Sequence, residues 1–143
     1  AGTQARSAGT RADTSSGRLG RVTPEAPVAR AAWTLPTLVR GRERYDIFCA
    51  PCHSAAGDGD GMIARRGFPH PPSFHIERLR DAPDAHFLAV IRDGYGAMYP
   101  YANRIADDDR IAIVGYIRAL QLSQHAALGE LPPQDRARLE ALP

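Results

Sequence analysis

Five consecutive residues, Cys49-Ala50-Pro51-Cys52-His53, form the part of the chain best suited to chemistry. Two thiols three positions apart can each add across a vinyl group of haem and hold it through two thioether bonds. The imidazole of His53 follows directly and would then lie close enough to the iron to be a ligand. C-x-x-C-H is the sequence signature of covalent c-type haem attachment. We therefore expect one haem c, bound through Cys49 and Cys52, with His53 on the iron.

Other uses of two nearby cysteines fit the sequence less well. A thioredoxin-like C-x-x-C motif belongs near alternating strands and helices, and no such pattern surrounds this one. A structural zinc site needs four ligands, whereas Cys49 and Cys52 are the only cysteines in the chain. A disulfide across two intervening residues would hardly constrain the unfolded chain. Because these three alternatives fit the sequence less well, we interpret the motif as a site of haem attachment.

The second axial ligand of the iron has two methionine candidates. An electron carrier fills this position, so that little moves when the iron changes oxidation state. We favour Met98, because its loop contains Gly94 and Gly96 and can fold over the haem face opposite His53. Met62 follows the proximal ligand closely in the chain, and we expect it to be a packing residue. A thioether ligand also raises the reduction potential relative to two histidines.

The four other histidines supply the remaining alternatives. His70 and His75 lie in a proline-rich segment and stay open as iron ligands, since imidazole ligation is common. We expect the other two, His86 and His125, to be solvated or capping residues.

Residues around the iron ligands should orient them and the haem. An imidazole ligand usually donates its other N–H to an acceptor. For His53 we expect that acceptor to be the backbone carbonyl of Pro71 or Pro72, which makes both prolines candidate cofactor-binding residues. Three arginines are candidates for pairing with the haem propionates: Arg65, Arg66 and Arg104.

Length and charge exclude several classes of protein. At 143 residues the chain can hold one domain with a single core and a tail. A net charge of +2 predicts no nucleic-acid-binding surface. No apolar run approaches the roughly 20 residues that cross a bilayer. Covalent haem normally requires export, and we expect the signal segment to be absent from this chain.

The composition divides the chain into three segments. Residues 1–36 are expected to be an extended or disordered arm, because small and polar residues dominate them and few apolar side chains are available for burial. Residues 37–125 are expected to form the haem domain. The tail at 126–143 is expected to end in a short amphipathic helix that docks through Leu139 and Leu142.

The haem domain is predicted to be all-α, with three main helices and no strands. The first should run from Thr37, its N-cap, to Ala50, with a face that includes Gly41 and Tyr45. Its partner is the third helix, predicted over 107–124, where Gly115 should permit a close crossing against these two residues.

Loops of different kinds connect these helices. Three glycines in 55–61 predict an irregular loop, and three prolines in 67–75 predict an extended segment. The second helix is predicted over 83–92, beginning at Pro83 and stopped by Gly94.

At this point residues 37–125 resemble a class I monohaem cytochrome c. More narrowly, the chain is similar to the monohaem cytochrome c subunit of alternative complex III, a bacterial quinol:electron-acceptor oxidoreductase. The strings that carry the narrower similarity are residues 40–49, 59–62, 66–68, 96–98 and 116–124.

The narrower resemblance implies a function and a set of partners. It implies a periplasm-facing, non-enzymatic electron-transfer subunit that is associated with the membrane through its complex. Its partners would be a multihaem subunit, other subunits of the complex and a downstream electron acceptor, either an oxidase or a soluble carrier. A free soluble shuttle and a haem subunit of another dehydrogenase are the alternatives.

Overall fold

A computed structural model describes residues 33–142 of the chain. The predicted arm at 1–36 therefore lies almost wholly outside the described residues. The all-α prediction is confirmed: the described part forms helices and no strand, apart from one isolated bridge between Tyr95 and Met98. The α-helices, in chain order, are α1 (Leu35–Phe48), α2 (Ala50–His53), α3 (Met62–Arg65), α4 (Glu77–Arg80), α5 (Asp84–Asp93), α6 (Asp107–His125) and α7 (Pro133–Glu140).

Helix α1 begins two residues earlier than predicted, and Thr34 rather than Thr37 is its N-cap. The Thr34 hydroxyl accepts a hydrogen bond from the backbone N–H of Thr37 at 3.4 Å. Pro36 fits the first turn, where its missing N–H leaves no helical hydrogen bond unmade. The helix ends at Phe48, so the haem-attachment residues belong to the next turn.

Helices α1 and α6 cross in close contact at Gly41. A Cβ atom at this position would lie 2.0 Å from the carbonyl oxygen of Ala112, so only glycine permits this separation. Tyr45, one turn later, is fully buried and packs edge-on against Tyr116 with 5.2 Å between ring centroids. The predicted crossing against Gly41 and Tyr45 is confirmed, but it is made by Ala112 and Tyr116 rather than by Gly115. The indole of Trp33 covers Gly115 instead, at 2.8 Å from a Cβ built there.

An ion pair fixes the start of α6 on α1. Arg40 donates two hydrogen bonds to the carboxylate of Asp109, from Nε at 2.8 Å and from its terminal nitrogen at 3.1 Å. The Nε of Arg44 lies 3.4 Å from the same carboxylate. The hydrogen bond from Arg40 lowers the pKa of Asp109 below its usual value. The predicted acidic first turn of α6 therefore also binds the neighbouring helix.

Helix α5 agrees with its prediction. Its apolar residues Phe87, Leu88 and Ile91 are buried, and Gly94 ends the helix with a φ of 78°. They join a core that lies between α1, α5 and α6, whose other buried members are Tyr45, Cys49, Phe74, Leu79, Ile105, Ile113, Val114 and Ile117.

A half-buried arginine on α6, Arg118, holds the chain between α4 and α5. The Nε of Arg118 donates to Asp84 at 2.7 Å, and its guanidinium carbon lies 4.7 Å from the centroid of Phe87. The guanidinium also donates to the carbonyls of Leu79, Arg80 and Ala82, and to the side-chain amide oxygen of Gln121. Helical periodicity alone would assign this arginine to the surface, because its partners come from a distant irregular segment.

The C-terminal helix exists, but it does not dock as predicted. Helix α7 begins at Pro133, as its sequence indicates. Leu139 and Leu142 are 47% and 65% exposed, so neither inserts into the domain. A short periodic pattern identifies an amphipathic helix without showing what covers its apolar side.

None of the helices among residues 33–142 is long and apolar enough to span a bilayer.

Candidate haem-binding site

The C-x-x-C-H residues lie on one helical turn that continues α1. The backbone N–H of Cys49 donates to the carbonyl oxygen of Tyr45 at 2.8 Å. The N–H of His53 donates to the carbonyl oxygen of Cys49 at 2.8 Å, so Cys49 links the two helical segments. Cys49 and Cys52 are both free thiols, the first buried and the second partly exposed. Burial raises the pKa of the Cys49 thiol to about 12, and the neighbouring Cys52 adds to the effect.

The imidazole of His53 is held in its neutral form. Burial lowers its pKa to about 4, so the ring keeps a free lone pair for a metal at physiological pH. Its ring stacks on Phe74, with 4.7 Å between centroids and 12° between planes. Its Nδ1 atom is buried and makes no hydrogen bond with the described residues.

The hydrogen bond expected from His53 to Pro71 or Pro72 is therefore not formed in this structure. The carbonyl oxygen of Pro71 lies instead against the glycine loop, 2.3 Å from where a Cβ of Gly59 would be. Contact of the two prolines with haem stays a prediction. The segment around them has no regular secondary structure between Arg65 and Glu77, as its prolines predict.

The glycine loop closes the carbonyl end of α2. The N–H of Gly59 donates to the backbone carbonyl of His53 at 3.0 Å, and the N–H of Gly61 donates to the backbone carbonyl of Cys52 at 3.1 Å. A Cβ at Gly61 would lie 2.4 Å from the carbonyl group of Cys52. The hydroxyl of Tyr45 donates to the carbonyl of Ser54 at 2.7 Å. The last carbonyls of a helix have no partner within the helix, and these contacts supply partners for them. They thereby fix the turn formed by residues 49–53, which we call the attachment turn.

A tight turn presents Met98. Met98 and Tyr95 exchange backbone hydrogen bonds of 3.1 Å and 2.9 Å across Gly96 and Ala97. Gly96 has a φ of 56° and Ala97 does not have a positive φ, the pattern of a type II′ turn. Met98 packs against the core cluster that contains Cys49.

The methionine loop and the attachment turn are neighbours. Tyr101 follows Met98 by three residues, and burial raises the pKa of its hydroxyl. Its ring also meets Phe48 edge-on at 6.2 Å. Met98 as the sixth ligand stays a prediction that this placement supports.

The competing ligand candidates have other surroundings. Met62 is 54% exposed on α3, so the expectation that it is a packing residue is wrong. A ring nitrogen of His70 lies 3.3 Å from the carbonyl of Gly59, and one of His75 lies 2.7 Å from that of Ala56.

Two of the other polar candidates, His125 and Arg65, have partners in this structure. His125 stacks on His75 at 5.6 Å, and its ring bonds the carbonyl of Gln121 at 2.9 Å. Arg65 pairs with Asp60 at 2.9 Å, which gives it a surface partner apart from any propionate.

The residues present fit a covalently attached haem. The two free thiols have the required spacing, and the adjacent imidazole is neutral and has a buried nitrogen without a protein partner. Within residues 33–142, no three His, Cys, Asp or Glu side chains come together as they would around a protein-ligated metal ion. This donor set suits an iron whose other ligands come from a porphyrin.

A family model described as cytochrome c oxidase, cbb3-type, subunit III matches residues 36–117. That stretch includes the attachment turn and Met98. The chain belongs to this family. Comparison with curated proteins finds no match. Family membership confirms the expected cytochrome c domain and implies haem-based electron transfer.

Two residues of this site were not predicted from the sequence. Phe74 stacks on His53, and Gln121 donates a hydrogen bond to the carbonyl of Phe74 at 2.8 Å. Only the second left a signal: Gln121 follows Ile113 and Ile117 at four-residue steps and is a polar residue on an apolar face.

Proposed function

We propose that the protein transfers single electrons through one covalently bound haem c, as a periplasm-facing subunit of a membrane quinol-oxidising complex similar to alternative complex III. Electrons arrive from a multihaem subunit and leave to an oxidase or a soluble carrier. The attachment turn carries the electron-transfer part of the proposal. It combines two cysteines that form no disulfide and a half-buried, neutral imidazole within five residues.

The bound haem supplies an iron that gains and loses one electron. Cys49 and Cys52 tether it, and the neutral ring of His53 offers a lone pair without first losing a proton. Met98 would hold the iron through its thioether sulfur. The crossing of α1 with α6 holds the attachment turn through Tyr45, so the protein contributes a rigid frame around a centre that changes only its charge.

The state of Cys49 indicates when the haem is attached. A thiol adds to a vinyl group readily only when it is accessible and forms thiolate, whereas folding buries Cys49 and raises its pKa to about 12. Attachment must then precede the final packing of α1 on the core. This order agrees with a protein that receives its haem after export and folds around it.

The narrower sequence similarity supports the subunit role. Gly41, Tyr45 and Tyr116 in the similar strings serve the helix crossing, so the fold itself explains their presence. Ile47 and Met62 in the same strings are 53% and 54% exposed, so packing among the described residues does not explain them.

The family match favours a second candidate. The family takes its name from a subunit of cbb3-type cytochrome c oxidase, so this chain would then deliver electrons within a terminal oxidase. In that case the co-purifying subunits would consume oxygen rather than oxidise quinol.

Purification of the tagged full-length chain from native membranes in mild detergent separates these functions. We expect a multihaem subunit to co-purify and the preparation to reduce an electron acceptor with quinol. Recovery of an oxygen-reducing oxidase would establish the second candidate. Recovery of the chain alone from the soluble periplasmic fraction would instead establish a free shuttle, and recovery with a quinol-independent dehydrogenase would identify that enzyme as its complex.

A further inference from the structure

Two imidazoles outside the proposed haem centre lie side by side, where the proline segment of residues 67–75 meets the end of α6. The rings of His75 and His125 are 5.6 Å apart between centroids, with 25° between their planes. His75 is half-buried, and His125 is exposed in the last turn of the helix. The proposed electron-transfer function uses neither ring.

A backbone carbonyl fixes the tautomer of each ring. Because a carbonyl can only accept a hydrogen bond, the ring nitrogen that faces it carries the proton. Nε2 of His75 therefore donates to the carbonyl of Ala56 at 2.7 Å, and Nδ1 of His125 donates to the carbonyl of Gln121 at 2.9 Å. In its neutral form, each ring then keeps a lone pair on its other nitrogen. Histidines that bind metal ions are usually held in this way.

The second nitrogen of His75 lacks a partner. Nδ1 is buried and makes no hydrogen bond with the described residues, which is unfavourable for a polar atom. A metal ion shared with His125 would supply the missing interaction. Zinc–imidazole bonds of about 2.1 Å place the centroids of two rings on one ion about 5–6 Å apart. The observed separation of 5.6 Å lies within that range.

Hydrogen bonds from three segments hold the two rings in place. The carbonyl of Ala56 accepts from His75 and also from the side-chain amide of Gln124 at 3.1 Å. Gln124 directly precedes His125 on α6, so both rings are positioned around the same carbonyl. The carbonyl of His75 accepts from Nε of Arg80 at 3.1 Å, which fixes its backbone as well.

We propose that His75 and His125 form a second metal site, which binds one divalent transition-metal ion of the Zn²⁺ and Cu²⁺ class. Imidazole nitrogen favours these ions, whereas Mg²⁺ and Ca²⁺ take oxygen ligands. Among residues 33–142 no three His, Cys, Asp or Glu side chains come together, so water completes the coordination. The bound ion ties the irregular proline segment to the end of α6. The site does not depend on the proposed function.

The test titrates the full-length, haem-loaded, oxidised protein with Zn²⁺. We expect calorimetry to give one Zn²⁺ per chain. The melting temperature should rise with the Zn²⁺ concentration, because an ion that binds the folded state stabilises it. Cu²⁺ should compete for the same site and bind more tightly, as it does in most sites of this ligand type.

Single substitutions identify the ligands. His125→Gln removes an exposed ring, and His75→Gln leaves an amide that can still donate to Ala56. Loss of an outer partner alone costs a metal site roughly 10–100-fold in affinity, so we expect each variant to bind Zn²⁺ at least tenfold more weakly. His86→Gln is the matched control, because the ring of His86 meets Phe87 rather than a second histidine. It should bind Zn²⁺ as the wild type does.

Three results would overturn the proposal. They are a wild-type chain that binds no Zn²⁺, an unchanged affinity in His125→Gln, and a loss in His86→Gln as large as that in His125→Gln. His125→Gln carries the test if His75→Gln does not fold, because the ring of His125 is exposed at the end of its helix. A melting temperature that rises equally with Zn²⁺ in the wild type and in His125→Gln would also overturn it.

Discussion

The two axial ligands of the proposed haem depend on different kinds of residue. His53 is fixed by its place one position after Cys52 on a continuous helical turn. Met98 is fixed by a two-residue turn, which only the positive φ of Gly96 makes possible without strain. A change in the methionine should therefore affect iron ligation while leaving the helical frame and the attachment turn intact.

Replacement of Met98 by alanine should remove the sulfur ligand from the iron. In the oxidised protein we expect loss of the red charge-transfer absorption band that reports an iron–methionine bond, because no other thioether lies in the turn. Met62→Ala is the matched control, since Met62 is 54% exposed and should leave the band in place. Survival of the band in Met98→Ala, or its absence from the wild type, would contradict the assignment.

The sequence predicts the role of a residue when that role depends on nearby residues in the chain. It does not predict a role that depends on contact with a distant segment. Cys49, Cys52 and His53 are defined by a motif whose spacing is itself the chemical requirement. Phe74 reaches His53 only because the glycine loop folds the chain back. The hydrogen bond expected at the proline segment failed for the same reason, because a loop without regular structure does not show where its carbonyls point.

At the scale of elements, the glycine loop is fitted to the attachment turn. Gly61 has an ordinary φ of −72°, so its requirement is one of space rather than of backbone conformation. A Cβ there would lie 2.4 Å from the carbonyl of Cys52, and that carbonyl belongs to the helical turn and cannot easily move.

Gly61→Ala should therefore destabilise the haem-loaded protein. Overpacking against backbone is expected to lower the free energy of unfolding by about 1–3 kcal/mol, measured by chemical denaturation of the oxidised protein. Gly129→Ala is the control, because no atom lies within 4 Å of a Cβ built there. Equal stability of the two variants would show that the loop is not packed as described.

Periodicity and capping residues predicted closely where the helices begin and end, but they did not predict which residues the helices contact. Helix α6 spans 107–125 against a predicted 107–124, because its apolar stripe is long and its first turn is acidic. The partner of Gly115 was assigned wrongly, since a small residue indicates a close approach without indicating which element approaches. Here the approach is made by Trp33, which precedes α1.

At the scale of the whole molecule, Trp33 ties the first of the described residues to the haem domain. The indole packs on Gly115 and joins the partly buried side chains around the core. The predicted arm at 1–36 therefore overlaps the folded part by its last residues. The remainder, residues 1–32, lies outside the described part, and its role in assembly stays a prediction from composition.

Deletion of residues 1–32 should leave the haem spectrum and the melting temperature of the isolated subunit nearly unchanged, and should weaken its assembly into the complex. The composition cannot offset an ordering cost of roughly 1–2 kcal/mol per residue without partner surface. Trp33→Ala is the contrasting variant, since loss of the indole should cost about 2 kcal/mol or more of unfolding free energy. Strong hydrogen-exchange protection across 1–32 in the isolated subunit would refute the assembly role.

The central claim is that this fold carries one haem through two thioether bonds. Mass spectrometry of the intact chain under denaturing conditions tests it most directly, because only a covalently attached haem survives unfolding. The account predicts a mass equal to the chain plus one haem, and haem attached through a single bond or lost altogether in Cys49→Ala and Cys52→Ala. A wild-type chain at its bare mass, with two thiols free to react, would contradict it.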